Sequence, residues 1–305
     1  MSRSHHLKIK NKMNIAVIIT VFNRIDKTLK CLDWLFKSLN SYPQINLKVY
    51  ITDDGSTDGT SSIIKETYKN NNIEILAGSG NLFWNGGMNN SWRKAVSDGG
   101  WDGFLWLNND SYVYADLWQE IIEADIYSRQ NFRKGGVYVG STYNEEKTGL
   151  SYGGFNFTNK ITLKDEFVIP NGNFQMCECA HGNITYISND VVNKLGVLYD
   201  GYQHGGGDHD YTYVAHKNGF PLIVLRKYVG ECENDHPKKL GADFHHMDLK
   251  QRIAFLKSPL GFNLNNTLIF QKRCFPYRYP FVLFAGYFRA VFPNLHYKIY
   301  SLLRK

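Results

Sequence analysis

Two adjacent carboxylates open the string Asp53-Asp54-Gly55-Ser56-Thr57-Asp58-Gly59-Thr60. At a strand end, a carboxylate can accept hydrogen bonds from a nucleobase N–H or from ribose hydroxyls. Gly55 and Gly59 permit a tight turn, and Ser56, Thr57 or Asp58 can cap a following helix. A capped turn is the expectation for Asp58. Two neighbouring acids at the mouth of a parallel sheet are costly without a ligand, so Asp53 and Asp54 read as ligand-facing. No G-x-x-x-x-G-K-[ST] string occurs, which argues against a P-loop NTPase. Gly78-Ser79-Gly80 begins like a dinucleotide fingerprint, but Phe83 stands where the third glycine belongs, which argues against a Rossmann dehydrogenase.

The elements that must position these residues follow from hydrophobic patterning. Residues 16–22 form a short apolar run rich in β-branched side chains, the mark of a buried strand. Residues 26–39 place Leu29, Leu32, Leu35, Phe36 and Leu39 at helical spacing, with Asp26 as expected N-cap. Residues 47–52, 73–77 and 103–108 read as further strands, and a helix follows the Asp53–Thr60 turn. Alternation of strand and helix over the first 110 residues implies right-handed βαβ units and a largely parallel sheet. Such a sheet places its ligand crevice outside the carboxyl ends of the strands. Asn23 and Arg24, Asp53 and Asp54, Gly78 to Gly87, and Asn108 to Asp110 all sit at those ends, so four polar clusters converge on one crevice. Residues 137–143, 151–157, 184–188 and 221–225 read as later strands. Residues 208–219 read as a helix stopped by Asn218-Gly219.

The composition fits a folded globular chain: 43% hydrophobic, 21% charged, 15% aromatic, too apolar for wholesale disorder. A net charge of +7 favours anionic partners. The basic residues match no nucleic-acid-binding motif, so nucleic acid ranks last among them. Five scattered cysteines fit a reducing compartment better than a disulfide framework. Cys177-Glu178-Cys179 lacks the second pair a zinc site needs. No uncharged apolar run reaches about 18 residues, and no signal-peptide cleavage site follows the basic residues 1–13. The expectation is a cytoplasmic protein.

Taken in order, the strings ITVFNR, ITDDGSTDGT, GSGNLFWNGGMNNSW, FLWLNNDS and HGGGDHDYTYVAHKNGF resemble family 2 glycosyltransferases over roughly residues 14–235. The resemblance implies an α/β GT-A (Rossmann-like) fold with a mostly parallel central sheet flanked by helices. It also implies inverting transfer from a nucleoside-diphosphate sugar, with UDP or dTDP the expected carriers and a rhamnosyltransferase-like subgroup compatible. Thr20, Val21, Phe22 and Arg24 would border the base, and Asp54, backed by Asp53, would hold the base or ribose. Asn81, Gly86, Gly87, Asn89 and Asn109 would lie along the nucleotide sugar. Asp110 falls where the family's D-x-D motif presents a metal-binding carboxylate, although Asn108 replaces the first acid. A divalent cation, Mg2+ or Mn2+, would compensate the departing diphosphate, and one Asp suffices when phosphates and water fill the remaining positions.

Inversion requires an acceptor hydroxyl that loses its proton as it attacks, and Asp208 occupies the position of the base. Residues 208 and 210 lie about 200° apart on a helix, so Asp210 reads as a structural, acceptor-side residue and His209 as turned outward. His181-Gly182 is an acceptor-side candidate, and His236 a further metal or diphosphate ligand. The acceptor would be a glycan or lipid-linked oligosaccharide of a surface polysaccharide. The alternative, favoured by Asn108, is a nucleotide-sugar or glycan-binding module of the same fold without turnover.

The chain divides into a basic tail (1–13), a catalytic domain (14–245) and a helical, aromatic and basic C-terminal extension (246–305). The extension has the composition of a segment lying on a membrane surface, or of a helix packed on the catalytic domain.

Overall fold

The computed structural model describes residues 12–233, 244 and 246–303. Residues 1–11 of the basic tail and His236 lie outside the described residues. The chain begins β1 (Met13–Val21), α1 (Ile25–Ser38), β2 (Ile45–Asp53), α2 (Thr60–Thr67), β3 (Ile73–Ala77), α3 (Phe83–Asp98) and β4 (Gly103–Leu107). β1 is apolar on both faces because both are covered. Ile15, Val17, Ile19 and Val21 enter one core with side chains of α1 and α2, whereas Ala16 and Ile18 enter a second core with Met88 and Trp92 of α3. β1 pairs in parallel with β2 and with β4, and β2 with β3. The chain thus runs outward from β1 to β3, and α3 carries it back to β4 on the other side of β1. β1 and β4 therefore flank a topological switch point, where open α/β sheets bind ligands.

The chain continues through β5 (Ser111–Val113), α4 (Leu117–Phe132), β6 (Val137–Tyr143), β7 (Leu150–Tyr152), β8 (Gly154–Asn159), β9 (Lys164–Phe167), β10 (Gln175–Met176), β11 (Cys179–Ala180) and β12 (Ile184–Ser188). α5 (Asn189–Leu195), α6 (Gly207–Lys217) and β13 (Leu222–Cys232) follow. The main sheet has the order β10-β13-β6-β12-β4-β1-β2-β3, and β11-β8-β9 forms a small second sheet. β12 lies antiparallel between β4 and β6, so the parallel run of the first half ends there.

The last described residues form α7 (Leu249–Lys257), α8 (Leu264–Cys274), α9 (Tyr279–Val291) and α10 (Pro293–Leu303). A capping box of Asp248 and Gln251 starts α7, and the Asn263 side chain caps α8. Leu256, Leu264 and Ala290 bind α7, α8 and α9 into a small core of their own.

One expectation changes. Asp26 does not cap α1: Asp58, from the turn after β2, accepts the backbone N–H of Arg24 and Ile25 at 2.9 and 3.0 Å. The segment around Gly86 and Gly87 is a full helix, α3, despite two glycines and three asparagines that disfavour helix in isolation. Burial of Met88, Trp92 and Ala95 offsets that propensity.

Candidate active site

On the nucleotide side, Asp53 and Asp54 are buried, yet the protein itself compensates them. Asp53 accepts the backbone N–H of Ser56 at 2.8 Å and the Ser61 hydroxyl. Asp54 accepts three backbone N–H groups, from Gly80 and Leu82 at 2.8 Å and from Phe83 at 3.0 Å. Its carboxylate thereby fixes the loop after β3 and sits at the positive end of α3. The inference that this pair requires a ligand is corrected: backbone donors supply the compensation.

Other expected nucleotide-side residues divide by position. Phe22, Arg24 and Asn81 are exposed at the strand ends, whereas the Val21 side chain enters the core and leaves only its backbone available. A Cβ on Gly87 would lie 2.0 Å from Thr20 Oγ1, so Gly87 is what allows α3 to approach β1. A Cβ on Gly86 would lie 3.1 Å from Leu82, one turn earlier at the start of the same helix. Asn89 donates to the Leu198 carbonyl at 2.9 Å and to Asp200 at 3.0 Å. Asn109 donates to Thr28 Oγ1 at 3.0 Å. Gly87, Asn89 and Asn109 thus hold the frame.

Asp110 stands across the switch point from Arg24, whose guanidinium reaches its Oδ2 at 2.8 Å. The Cys232 thiol lies 3.7 Å from Oδ1. Among the described residues, no group of three His, Cys, Asp or Glu side chains could hold a metal unaided. The donor set is one hard carboxylate already facing a cationic group, which fits a divalent ion that takes its other ligands from diphosphate and water. Asn108 has a different task. Its Oδ1 accepts the indole N–H of Trp84 at 2.8 Å, so the amide that spoke for a module without turnover is a structural acceptor.

Trp84 was not singled out in the sequence, and it joins the two acidic centres. One edge bonds Asn108 beside Asp110. At Gly182 a Cβ would lie 2.9 Å from its ring and 3.2 Å from Asp208 Cβ. The Gly182 N–H donates to Asp208 Oδ2 at 3.0 Å, and the His209 N–H donates to Oδ1 at 2.9 Å. Burial alone would raise the Asp208 pKa. The neighbouring His209 and His181 rings and these two N–H donors outweigh it, and the net shift is downward. Asp208 is therefore an ionised, partly desolvated acceptor at the first turn of α6.

His181 is held at Nδ1 by the Gly153 carbonyl, 3.0 Å away, which makes Nδ1–H the donor. Burial first, then the adjacent His209, lowers its pKa to about 4, so the ring is neutral near pH 7. His209 is not turned outward as expected: its ring packs edge-on against His181, with centroids 4.8 Å apart, and against Phe155. Asp210 leaves the site by the opposite face of α6. It accepts Arg273 Nε of α8 at 2.8 Å and is itself fully enclosed. α8 also grips the loop before α6, since Asn266 donates to the carbonyls of His204 at 2.7 Å and Gly205 at 3.0 Å. Asn263 donates to the His204 carbonyl at 2.9 Å.

This arrangement, a switch-point sheet with a strand-end aspartate beside a second carboxylate on α6, is that of a GT-A glycosyltransferase. Residues 16–179 match the family described as Glycosyl transferase family 2. That span is more than half of the chain, which belongs to the family and is a glycosyltransferase. No curated protein matches it in sequence. Among solved structures, S. aureus TarS 1–349 in complex with UDP is 12% identical, with a TM-score of 0.57, covering 91% of this chain and 89% of that one. The same TarS fragment with UDP-GlcNAc is 13% identical, with a TM-score of 0.55, covering 91% and 79%. The mannosyltransferase PcManGT from Pyrobaculum calidifontis, in complex with GDP-Man and Mn2+, is 15% identical, with a TM-score of 0.51, covering 96% and 80%. At these identities the likeness establishes the fold.

Proposed function

We propose that this glycosyltransferase moves a sugar, with inversion, from a UDP- or dTDP-sugar to a hydroxyl of a glycan or lipid-linked acceptor used in cell-envelope polysaccharide synthesis. One observation carries the reading: an ionised Asp208 tied through Gly182 and Trp84 to the turn that bears Asp110. Phe22, Arg24 and the backbone of Thr20 and Val21 border the base. Asp53 and Asp54 each keep lone pairs beyond those used by backbone donors, and Asn81 lies beside them. Asp110 would hold Mg2+ or Mn2+, which would supply charge compensation to the departing diphosphate. Arg24 shares that carboxylate and adds its own positive charge on the leaving-group side.

The acceptor hydroxyl donates to Asp208 and attacks the anomeric carbon from the face opposite the diphosphate. Its proton passes to Asp208 as the new C–O bond forms and the bond to the diphosphate breaks, and solvent later removes it. The backbone N–H groups of Gly182 and His209 that donate to it keep the carboxylate ionised beforehand, and the missing side chain at Gly182 lets Trp84 and Asp208 close on that backbone. Asp210 acts through the placement of α6. The neighbours named for UDP, UDP-GlcNAc and GDP-Man with Mn2+ support a nucleotide-sugar donor and a divalent ion. Among the described residues no helix is long and apolar enough to cross a membrane.

A donor screen with Mn2+ that reads released nucleoside diphosphate tests the proposal. Release from a uridine or thymidine donor, abolished by chelation, is expected. Failure of every nucleotide sugar to bind overturns it.

A further inference from the structure

The net positive charge of this chain comes from its last fifth. Residues 246–305 hold ten Lys and Arg against one acidic residue, Asp248, whereas residues 1–245 hold 25 basic and 27 acidic residues. The whole net charge of +7 therefore arises in the sequence segment that includes α7 to α10.

The same segment carries an apolar surface with no cover. α9 has a single charged side chain, Arg289. Its inner side is occupied: Ala290 is fully buried, Val282 packs on the Leu256–Leu264 core, and a Cβ on Gly286 would meet Leu264 at 2.8 Å. Its outer side is also apolar. Phe281 and Phe284 are 73% and 70% exposed, and Phe288 and Val291 continue their helical spacing. Phe284 stacks on Phe288, whose ring meets Phe292 at the entry to α10, where Leu295 and Ile299 are exposed one turn apart. A helix apolar on both sides is normally buried on both. Rows of exposed aromatics of this kind mark an interaction surface.

We propose that the outer face of α9 and α10 lies flat on an anionic lipid bilayer, the aromatic side chains entering the interface and the basic residues meeting the headgroups. The two helices have 13 and 11 residues, short of the ~20 that span a hydrocarbon core, so they lie in the plane. Charge decides between lipid and a second copy of this chain. Two such faces, each within a segment of net charge +9, repel one another, whereas an anionic leaflet attracts each basic residue by roughly 1 kcal/mol. The docked face is also connected to the chemistry, because α9 packs on α8 and α8 holds Asp210 and the loop before Asp208.

The test uses the full chain and sedimentation with vesicles of phosphatidylcholine alone or with about one third phosphatidylglycerol. Anionic vesicles are expected to bind about tenfold or more tightly than neutral ones, with release at high salt. The double variant Phe281→Ser/Phe284→Ser should weaken that binding about tenfold or more while leaving the unfolding midpoint in place, since both side chains are exposed. Lys298→Gln should weaken it about fivefold and retain salt sensitivity. Equal binding to both vesicles, binding to neither, or a stable dimer that the double variant makes monomeric overturns the proposal. These readouts are independent of donor turnover, so their failure leaves the reading of Asp208 and Asp110 standing.

Discussion

The proposed nucleotide half and the proposed base half of the site are built in different ways. Asp54 is fixed by three backbone N–H groups from residues 80 to 83, the next loop along its own sheet. Asp208 sits on a helix whose opposite face is anchored to α8 by Asp210 and Arg273, 63 residues apart in the chain. The first arrangement follows from consecutive βαβ units and needs nothing beyond them. The second exists only once the C-terminal helices have docked. In a glycosyltransferase made this way the C-terminal layer sets the placement of Asp208 without touching the loop that holds Asp54.

That contrast can be broken in decreasing steps. Asp208→Asn should lower kcat about a thousandfold while the donor KM changes little, measured by steady-state diphosphate release. Asp54→Ala strips three amides of their acceptor and should lower unfolding free energy by about 3 kcal/mol, with weaker donor binding by calorimetry. Asp210→Ala should remove about 2 kcal/mol, less than a fully buried pair because Arg273 is one third exposed. It should lower kcat and leave donor affinity intact. If it weakens donor binding as much as Asp54→Ala does, the two halves are not separable.

His181 gives a pH signature. Its folded pKa of about 4 lies below the ordinary 6.5, so the unfolded chain takes up the proton first as pH falls. Stability should therefore decline between pH 6.5 and 4 by on the order of 2 kcal/mol, and His181→Gln should flatten that slope in denaturant titrations. The smallest effect belongs to Arg24→Ala. The pair with Asp110 is half exposed on the Arg side and should contribute under about 0.5 kcal/mol to stability.

Legibility in the sequence followed the same division. The strand over Ile73–Ala77 has the expected bounds, and β1, β2 and β4 lie within a few residues of theirs, because short apolar runs between turn residues dictate buried strands. Only the start of α3 was legible, because Asn85, Gly86, Gly87, Asn89 and Asn90 have a low helix propensity that packing offsets. α4 was missed because its apolar face is narrow. The acids were visible by type, but their partners were not: backbone amides carry no residue signature, so the compensation of Asp54 left no trace. Trp84 could have been noticed as a large aromatic amid Gly and Asn. Nothing local marks Asn263, Asn266 or Arg273 as holders of the loop and helix that bear Asp208.

The central claim is that Asp110 and Asp208 serve one donor. A crystal structure of the Asp208→Asn variant with Mn2+ and the donor found in the screen measures this directly. The account predicts the diphosphate on the Asp110 side, with the side chain at position 208 within about 6 Å of the anomeric carbon on the face away from the leaving group. A donor bound with its anomeric carbon turned from position 208, or a diphosphate out of reach of Asp110, contradicts it.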